Sequence, residues 1–202
     1  MQALLIDIEG WEIQMERLLK QIEAYKPCNE QEEKDRELLI QWIRSGMDIV
    51  TRANETAHLT ASAWVVSPDR KHVLMAYHNI YNSWAWLGGH ADGEWNLQKV
   101  AIREVEEESG LSQVTLLQEA PVSLEILTVD GYWKRGTYVA SHLHLNVTYL
   151  MEADPRKPIR KKPDENSAVA WIPVEEIGEK STEPWFVEHI YSKLCEKTLT
   201  LQ

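Results

Sequence analysis

The residues best placed to do chemistry are four glutamates in one run, Glu104, Glu106, Glu107 and Glu108, introduced by Arg103 and followed by Gly110 and Leu111. The run has helical texture, because Leu97, Val100, Ala101 and Val105 recur at spacings of three and four. Asn96 can cap the start, and Gly110 followed by Leu111 matches a left-handed C-terminal cap with its hydrophobic contact. At about 100° per residue, Glu108 falls about 40° and Glu107 about 60° from Glu104, whereas Glu106 falls about 160° away. The apolar residues centre close to Glu108, so three of the four acids lie on or beside the face that packs inward. Ile102 suggests some cover on the far side as well. A solvated acidic stripe would lie opposite the apolar one. Three carboxylates at this spacing repel, and burying even one unpaired is costly. Arg103 can neutralise one of them; the rest make an oxygen-rich cluster suited to a hard divalent cation, Mg²⁺ or Mn²⁺.

Other residues lie close to this helix in sequence. Gly88 and Gly89 stand between a strand-like run and the helix, where a missing Cβ lets the backbone turn tightly and approach a ligand. His90 and Asp92 share that loop and are candidates for substrate contact. Trp86, with Trp84 and Trp95, could stack a base or shield a diphosphate, and core packing competes with that role. His142 and His144 alternate with Leu143 and Leu145, so both project from one face of a strand. They could contact phosphate or lend an acid, or form a hydrogen-bonded structural pair; a histidine metal site would want a third ligand. Arg156, Lys157, Arg160, Lys161 and Lys162 form a Pro-punctuated basic loop, read as solvated surface or as steering for an anion.

The elements that must position these groups follow from the patterning. Residues 1 to about 50 read as two helices divided at Pro27 and Asn29, with Asn29 a cap and Glu32 completing a capping-box-like pattern. The twelve acids and seven bases of residues 1–56 are expected mostly on solvated faces. Strand-like runs occupy 59–66, 71–78, 84–87, 123–129, 138–153 and 168–173, around the central helix, and a closing helix is expected over 184–197. Strands on both sides of one helix indicate a mixed α/β or α+β fold. The expected domains are a helical extension, 1–56, and an enzymatic core, 57–202. With 32 acids against 21 bases among 202 residues, the net charge of −11 argues against a nonspecific grip on duplex nucleic acid. No apolar run approaches the ~20 residues that cross a bilayer. The acidic N-terminus is unlike a signal peptide, and two distant cysteines, Cys28 and Cys195, suggest neither a disulfide framework nor a zinc site. A cytoplasmic protein is expected, and a homodimer is the default assembly.

Residues 89–111 resemble the Nudix box, G-x5-E-x7-R-E-U-x-E-E-x-G-U with U aliphatic. The second half matches throughout as Arg103-Glu104-Val105-Glu106-Glu107-Glu108-Ser109-Gly110-Leu111. In the first half Glu94 comes one residue early and Trp95 takes the strict glutamate position. HLTAS (58–62), GGHADG (88–93) and HLHLNVTY (142–149), after an N-terminal helical extension, look like a group of bacterial Nudix proteins of unestablished substrate. The resemblance implies a mixed β-sheet sandwiched between helices and a metal-dependent pyrophosphohydrolase, which splits a nucleoside diphosphate linked to another group by attack of water on phosphorus. It implies Glu107 and Glu108 as metal ligands, Glu104 as a ligand or the base, and the Gly88 carbonyl in the metal shell. Arg103 would hold the glutamates in orientation. Some members take a base from an acid six residues before a strand tryptophan, and Glu165 stands six before Trp171. A noncatalytic nucleotide-binding or regulatory module is the alternative, disfavoured because the glutamates of the box's second half, Glu104, Glu107 and Glu108, are kept. An isomerase of the isopentenyl-diphosphate type, which needs a core cysteine, ranks below both.

Overall fold

The computed structural model describes residues 2–134 and 136–200, of which 2–9 by their helical backbone alone. Two helices come first, α1 (Gln2–Ala24) and α2 (Glu30–Arg44). Strands β1 (Ala57–Val66), β2 (His72–His78), β3 (Ser83–Ala85) and β4 (Leu87–His90) then lead into α3 (Leu97–Ser109). Six more strands follow: β5 (Thr115–Leu116), β6 (Ser123–Val129), β7 (Tyr132–Lys134), β8 (Thr137–Val139), β9 (His142–Glu152) and β10 (Asn166–Pro173). Short helices α4 (Ile177–Lys180) and α5 (Pro184–Phe186), a π-helical turn over Val187–Tyr191 and α6 (Ser192–Thr200) close the chain. Hydrogen bonding orders the sheet β10-β2-β1-β9-β5, with β3 on β2, β4 on β1 and β6 on β9, while β7 and β8 pair as a hairpin. This is the expected mixed α/β fold.

Contacts divide the chain into two compact units, with β1, β4, β9 and α3 contributing residues to both. The first comprises the chain up to Ala61, Gly89–Val100 and Ser123–Val147. In it α1 and α2 bury Leu18, Ile22, Leu39 and Ile43. Asn29 caps α2 through its side-chain oxygen, which accepts from the backbone N–H of Glu32 at 2.9 Å. Glu32 reaches back one residue further than a capping box would, accepting from the N–H of Cys28 at 2.9 Å. Glu32 is an exception among the acids of residues 1–56, most of which were expected on solvated faces, because it is fully buried against β6. There the Ser123 hydroxyl reaches Glu32 Oε1 at 2.9 Å and also Glu125. Asn146 Nδ2 donates to Glu125 Oε2 and accepts Thr60 Oγ1–H on its own Oδ1, each at 2.9 Å. Burial, and then the charge of Glu32, push the Tyr25 hydroxyl above its ordinary value. A buried polar chain is tolerable when its members find partners, and this one ties α2 to β6, β9 and β1.

The second unit comprises Ser62–Gly88, Ala101–Val122 and the chain from Thr148 onward. Here β10 pairs antiparallel with β2 from Asn166 opposite His78 to Pro173 opposite His72, with a bulge between Asn166 and Ala168. Trp64 is fully buried and stacks on Tyr191, ring centroids 5.7 Å apart. The expected strand 84–87 breaks at Trp86, whose ring lies edge-on to Phe186 and Tyr191. Ile102 is exposed, so the far side of α3 is not covered there.

Candidate active site

Helix α3 has both ends written as expected. Asn96 Oδ1 accepts from the N–H of Lys99 at 3.2 Å. Gly110 adopts φ +73°, its N–H donates to the Glu106 carbonyl at 2.8 Å, and Leu111 is buried behind it. A Cβ on Gly110 would stand 2.5 Å from Cγ of Arg160, so side-chain crowding and backbone sign together require glycine. Arg160 is brought there by its own N–H, which donates to the Ser109 carbonyl at 2.8 Å. The loop is thus tied to the end of α3 at Arg160, while Arg156, Lys157, Arg160 and Lys161 stay exposed, as a solvated loop requires.

On α3 the glutamates sort by angle. Glu104 and Glu108 are 8% and 5% exposed, whereas Glu106 is exposed, as the helical geometry requires. Glu107 departs from the expected burial, since its side chain is 45% exposed. Glu108 accepts the Gly88 N–H on Oε2 and Asn166 Nδ2 on Oε1, both at 2.9 Å. Burial pushes its carboxyl up to about 7, against the lowering effect of those two hydrogen bonds. Glu104 is also raised by burial, and Arg103 counters in part, with Nη2 at 2.9 Å from Oε1. Arg103 Nε lies 3.8 Å from Glu107 Oε1, so one guanidinium spans two of the acids.

A second cation enters from the basic loop. Lys162 Nζ lies 3.1 Å from Glu107 Oε2 and 2.9 Å from Glu165 Oε2. Burial pulls its pKa down, but the two carboxylates outweigh that and hold it above the ordinary lysine value. The structure therefore brings Gly88, Arg103, Glu104, Glu107, Glu108 and Glu165 to one region, joined by Lys162 and Asn166, which the sequence reading did not single out as a site residue. Asn166 had no local signal, and Lys162 was hidden in a run that reads as surface charge. Asn166 Oδ1 is buried with no partner among the described residues. With three carboxylates and the Gly88 backbone nearby, an uncommitted amide oxygen makes the donor set all-oxygen, which fits a hard cation such as Mg²⁺ or Mn²⁺.

The remaining sequence candidates make contacts of their own. Gly88 and Gly89 run extended in β4 and do not turn; the turn falls at Asp92 and Gly93, with φ +47° and +96°. The Ala91 N–H donates to the Leu59 carbonyl and that of Gly93 to the Val50 carbonyl, each at 3.0 Å. Asp92 is held by both arms of Arg52, at 2.8 and 2.9 Å. Glu94 accepts from the N–H of Asn96 and pairs with Lys99 at 2.6 Å, an anchor for the start of α3. Trp95 is buried and stacks on Trp11 of α1 at 6.2 Å. His142 and His144 do share a face, and they meet His58 and His90, whose ring centroids lie 4.9–5.2 Å from theirs where a pair is in contact. Burial lowers His90 to about 3 and His144 to about 2, so neither carries positive charge for a phosphate near neutral pH.

These features define a class. The NUDIX domain model matches residues 56–194, and the chain belongs to that family. It is accordingly an enzyme of the Nudix-hydrolase type, acting on phosphoric anhydride bonds. Among solved structures, a Nudix hydrolase from M. smegmatis, RenU, is 18% identical with TM-score 0.53, over 72% of this chain and 88% of that one. A C. elegans Ap4A hydrolase in a binary complex is 18% identical with TM-score 0.52, over 70% and 98%. The NUDIX domain of Shewanella oneidensis NrtR, complexed with ADP ribose, is 15% identical with TM-score 0.50, over 78% and 94%. These likenesses concern the fold. No curated protein matches the chain. Among the described residues, no helix is long and apolar enough to cross a membrane.

Proposed function

We propose that the chain is a Mg²⁺- or Mn²⁺-dependent pyrophosphohydrolase that cleaves a nucleoside diphosphate linked to another group, by attack of water on phosphorus. The observation that carries the reading is Glu108, a carboxylate 5% exposed beside a second buried one, Glu104, on the face of α3 that meets Gly88 and Asn166. A fold gains nothing from such a pair unless a cation compensates it. Glu104, Glu107 and Glu108, with the Gly88 carbonyl, would hold the metal. Bound there, a divalent cation supplies charge neutralisation for the diphosphate and a lowered pKa for the attacking water.

The chain's own groups do the rest. Arg103 keeps Glu104 and Glu107 turned towards a common centre, and the Gly88 N–H and Asn166 orient Glu108. Lys162 bridges Glu107 and Glu165 and is the cation that the substrate's phosphates would meet. The proton of the attacking water passes to Glu104 or Glu165. Glu104 offers a basicity raised by burial, and Glu165 offers access, at 46% exposure. A catalytic cysteine is disfavoured: Cys28 is exposed on the helical extension, and burial pushes the Cys195 thiol up to about 11. On this reading the catalytic domain would be 57–202, with 1–56 as its helical extension. The test is hydrolysis of a panel of nucleoside triphosphates, dinucleoside polyphosphates, ADP-ribose, nucleotide sugars and coenzyme-type pyrophosphates. Mg²⁺- or Mn²⁺-dependent product release, abolished by Glu107→Gln, is expected. No turnover of any member with either metal would overturn the reading.

A further inference from the structure

We infer that His58, His90 and His144 form a second metal site, for a borderline ion such as Zn²⁺, whose donors are all imidazole. The three come from different segments: the start of β1, the end of β4 and the start of β9. Their candidate ligand nitrogens all lie within 4.8 Å of one another. A tetrahedral zinc with Zn–N of about 2.0–2.1 Å places its nitrogens about 3.4 Å apart, so convergence needs side-chain shifts of about an ångström.

The hydrogen bonds prepare His58 as a ligand. His58 Nδ1 lies 3.1 Å from the Asn54 carbonyl oxygen, a contact that only a ring N–H can satisfy. The proton is therefore on Nδ1, and Nε2 carries the lone pair. That Nε2 is buried with no partner among the described residues. A backbone carbonyl on one nitrogen and a bare lone pair on the other is the arrangement that orients a metal-bound imidazole. His142 repeats it: its Nδ1 lies 2.8 Å from the Ala140 carbonyl oxygen, and its Nε2 lone pair faces His144 Nε2 at 3.2 Å. Two ring nitrogens at that distance need a proton or a metal between them, so His142 lies against the ligand His144 without joining the set of three. A buried structural pair of histidines would need no third or fourth ring and would not leave His58 Nε2 bare.

The donor chemistry selects the ion. Neutral imidazoles without a carboxylate suit Zn²⁺, Ni²⁺ or Cu²⁺ and suit Mg²⁺ poorly, so the two sites sort metals by hardness. A bound ion would cross-link β1, β4 and β9 within the first unit, and would fix the residues leading into the Asp92–Gly93 turn. This inference does not depend on the hydrolase reading, and its test reads metal directly.

The whole chain, purified without chelators, is assayed for bound metal by mass spectrometry; the metal-stripped chain is then titrated with Zn²⁺ against a chromogenic chelator. The expectation is about one zinc per chain, unaffected by excess Mg²⁺, with affinity reduced at least tenfold in His58→Asn and in His144→Asn. Glu108→Gln should bind zinc as the wild type does. A readout that needs no variant is Co²⁺ substitution, which should give the intense visible absorption of a tetrahedral site without a thiolate charge-transfer band. Wild-type zinc content no higher than that of the His58→Asn/His144→Asn double variant would overturn the inference. So would a weak octahedral Co²⁺ spectrum that Mg²⁺ abolishes.

Discussion

Glu108 gives the sharpest quantitative test of the glutamate site. Its carboxyl is raised by burial from 4.5 to about 7, so the folded chain keeps a proton there that the unfolded chain has released. At about 1.4 kcal/mol per pH unit the ionised group costs the metal-free fold about 3 kcal/mol at pH 8. Below pH 4.5 both states hold the proton and the cost vanishes; between 4.5 and about 7 stability falls as pH rises. Glu108→Gln removes the charge while keeping the shape. Its amide oxygen can accept the Gly88 N–H, and its amide nitrogen can donate to Asn166 once that amide turns over, since Asn166 Oδ1 is buried with no partner among the described residues. The variant should therefore be more stable than the wild type by about 2–3 kcal/mol at pH 8 in EDTA, and equal to it near pH 4. Urea unfolding at both pH values, with and without EDTA, reads this directly. Millimolar Mg²⁺ should stabilise the wild type and leave the variant unchanged, because only binding to the folded form raises stability. Equal stabilities at pH 8, or a stabilising effect that persists at pH 4, would refute the account of Glu108 as a buried charge awaiting a cation.

Three further outcomes are expected. Glu165→Gln should abolish one ionisable step of the kcat pH profile if Glu165 takes the water's proton; an unchanged profile, with the step lost instead in Glu104→Gln, assigns the base to Glu104. Gly110→Ala should lower the unfolding free energy by about 2 kcal/mol, because it forces a Cβ into φ +73° and against Arg160, and near-wild-type stability in thermal unfolding would contradict the crowding described. Asn29→Ala should cost about 1 kcal/mol through loss of the α2 cap, measured by chemical denaturation at neutral pH.

What could be read in the sequence was local. The period of α3, its Asn96 and Gly110 caps and the burial of Glu104 and Glu108 all follow from spacings inside one helix. The Asn29 cap of α2 is equally local. What escaped depends on partners distant in the chain. Glu32 reads as one more surface acid until Ser123, 91 residues later, arrives beside it. The histidine pair of β9 acquires its third and fourth members only when strand pairing brings His58 and His90 to the same place. Glu107 was expected to be buried because helical geometry gives direction and not the depth of cover, and Lys162 was concealed in a stretch whose composition reads as surface. The turn at Asp92–Gly93 was misplaced onto Gly88–Gly89 because glycine permits a turn without requiring one.

The contact between Glu32, Ser123 and Glu125 bears on where this molecule can be cut. One hydroxyl hydrogen stands between two buried carboxylates, so the local proton count and the packing of α2 on β6 are set together. Removing α2 would strip Ser123 and Glu125 of their cover and expose polar atoms of the sheet that now face protein. The family match begins at residue 56, yet a fragment starting there would present β6 without Glu32, the acid its Ser123 hydroxyl reaches. Residues 32, 123, 125 and 146 are thus joined in one buried polar chain, so a substitution at any one of them disturbs the hydrogen bonding of the next.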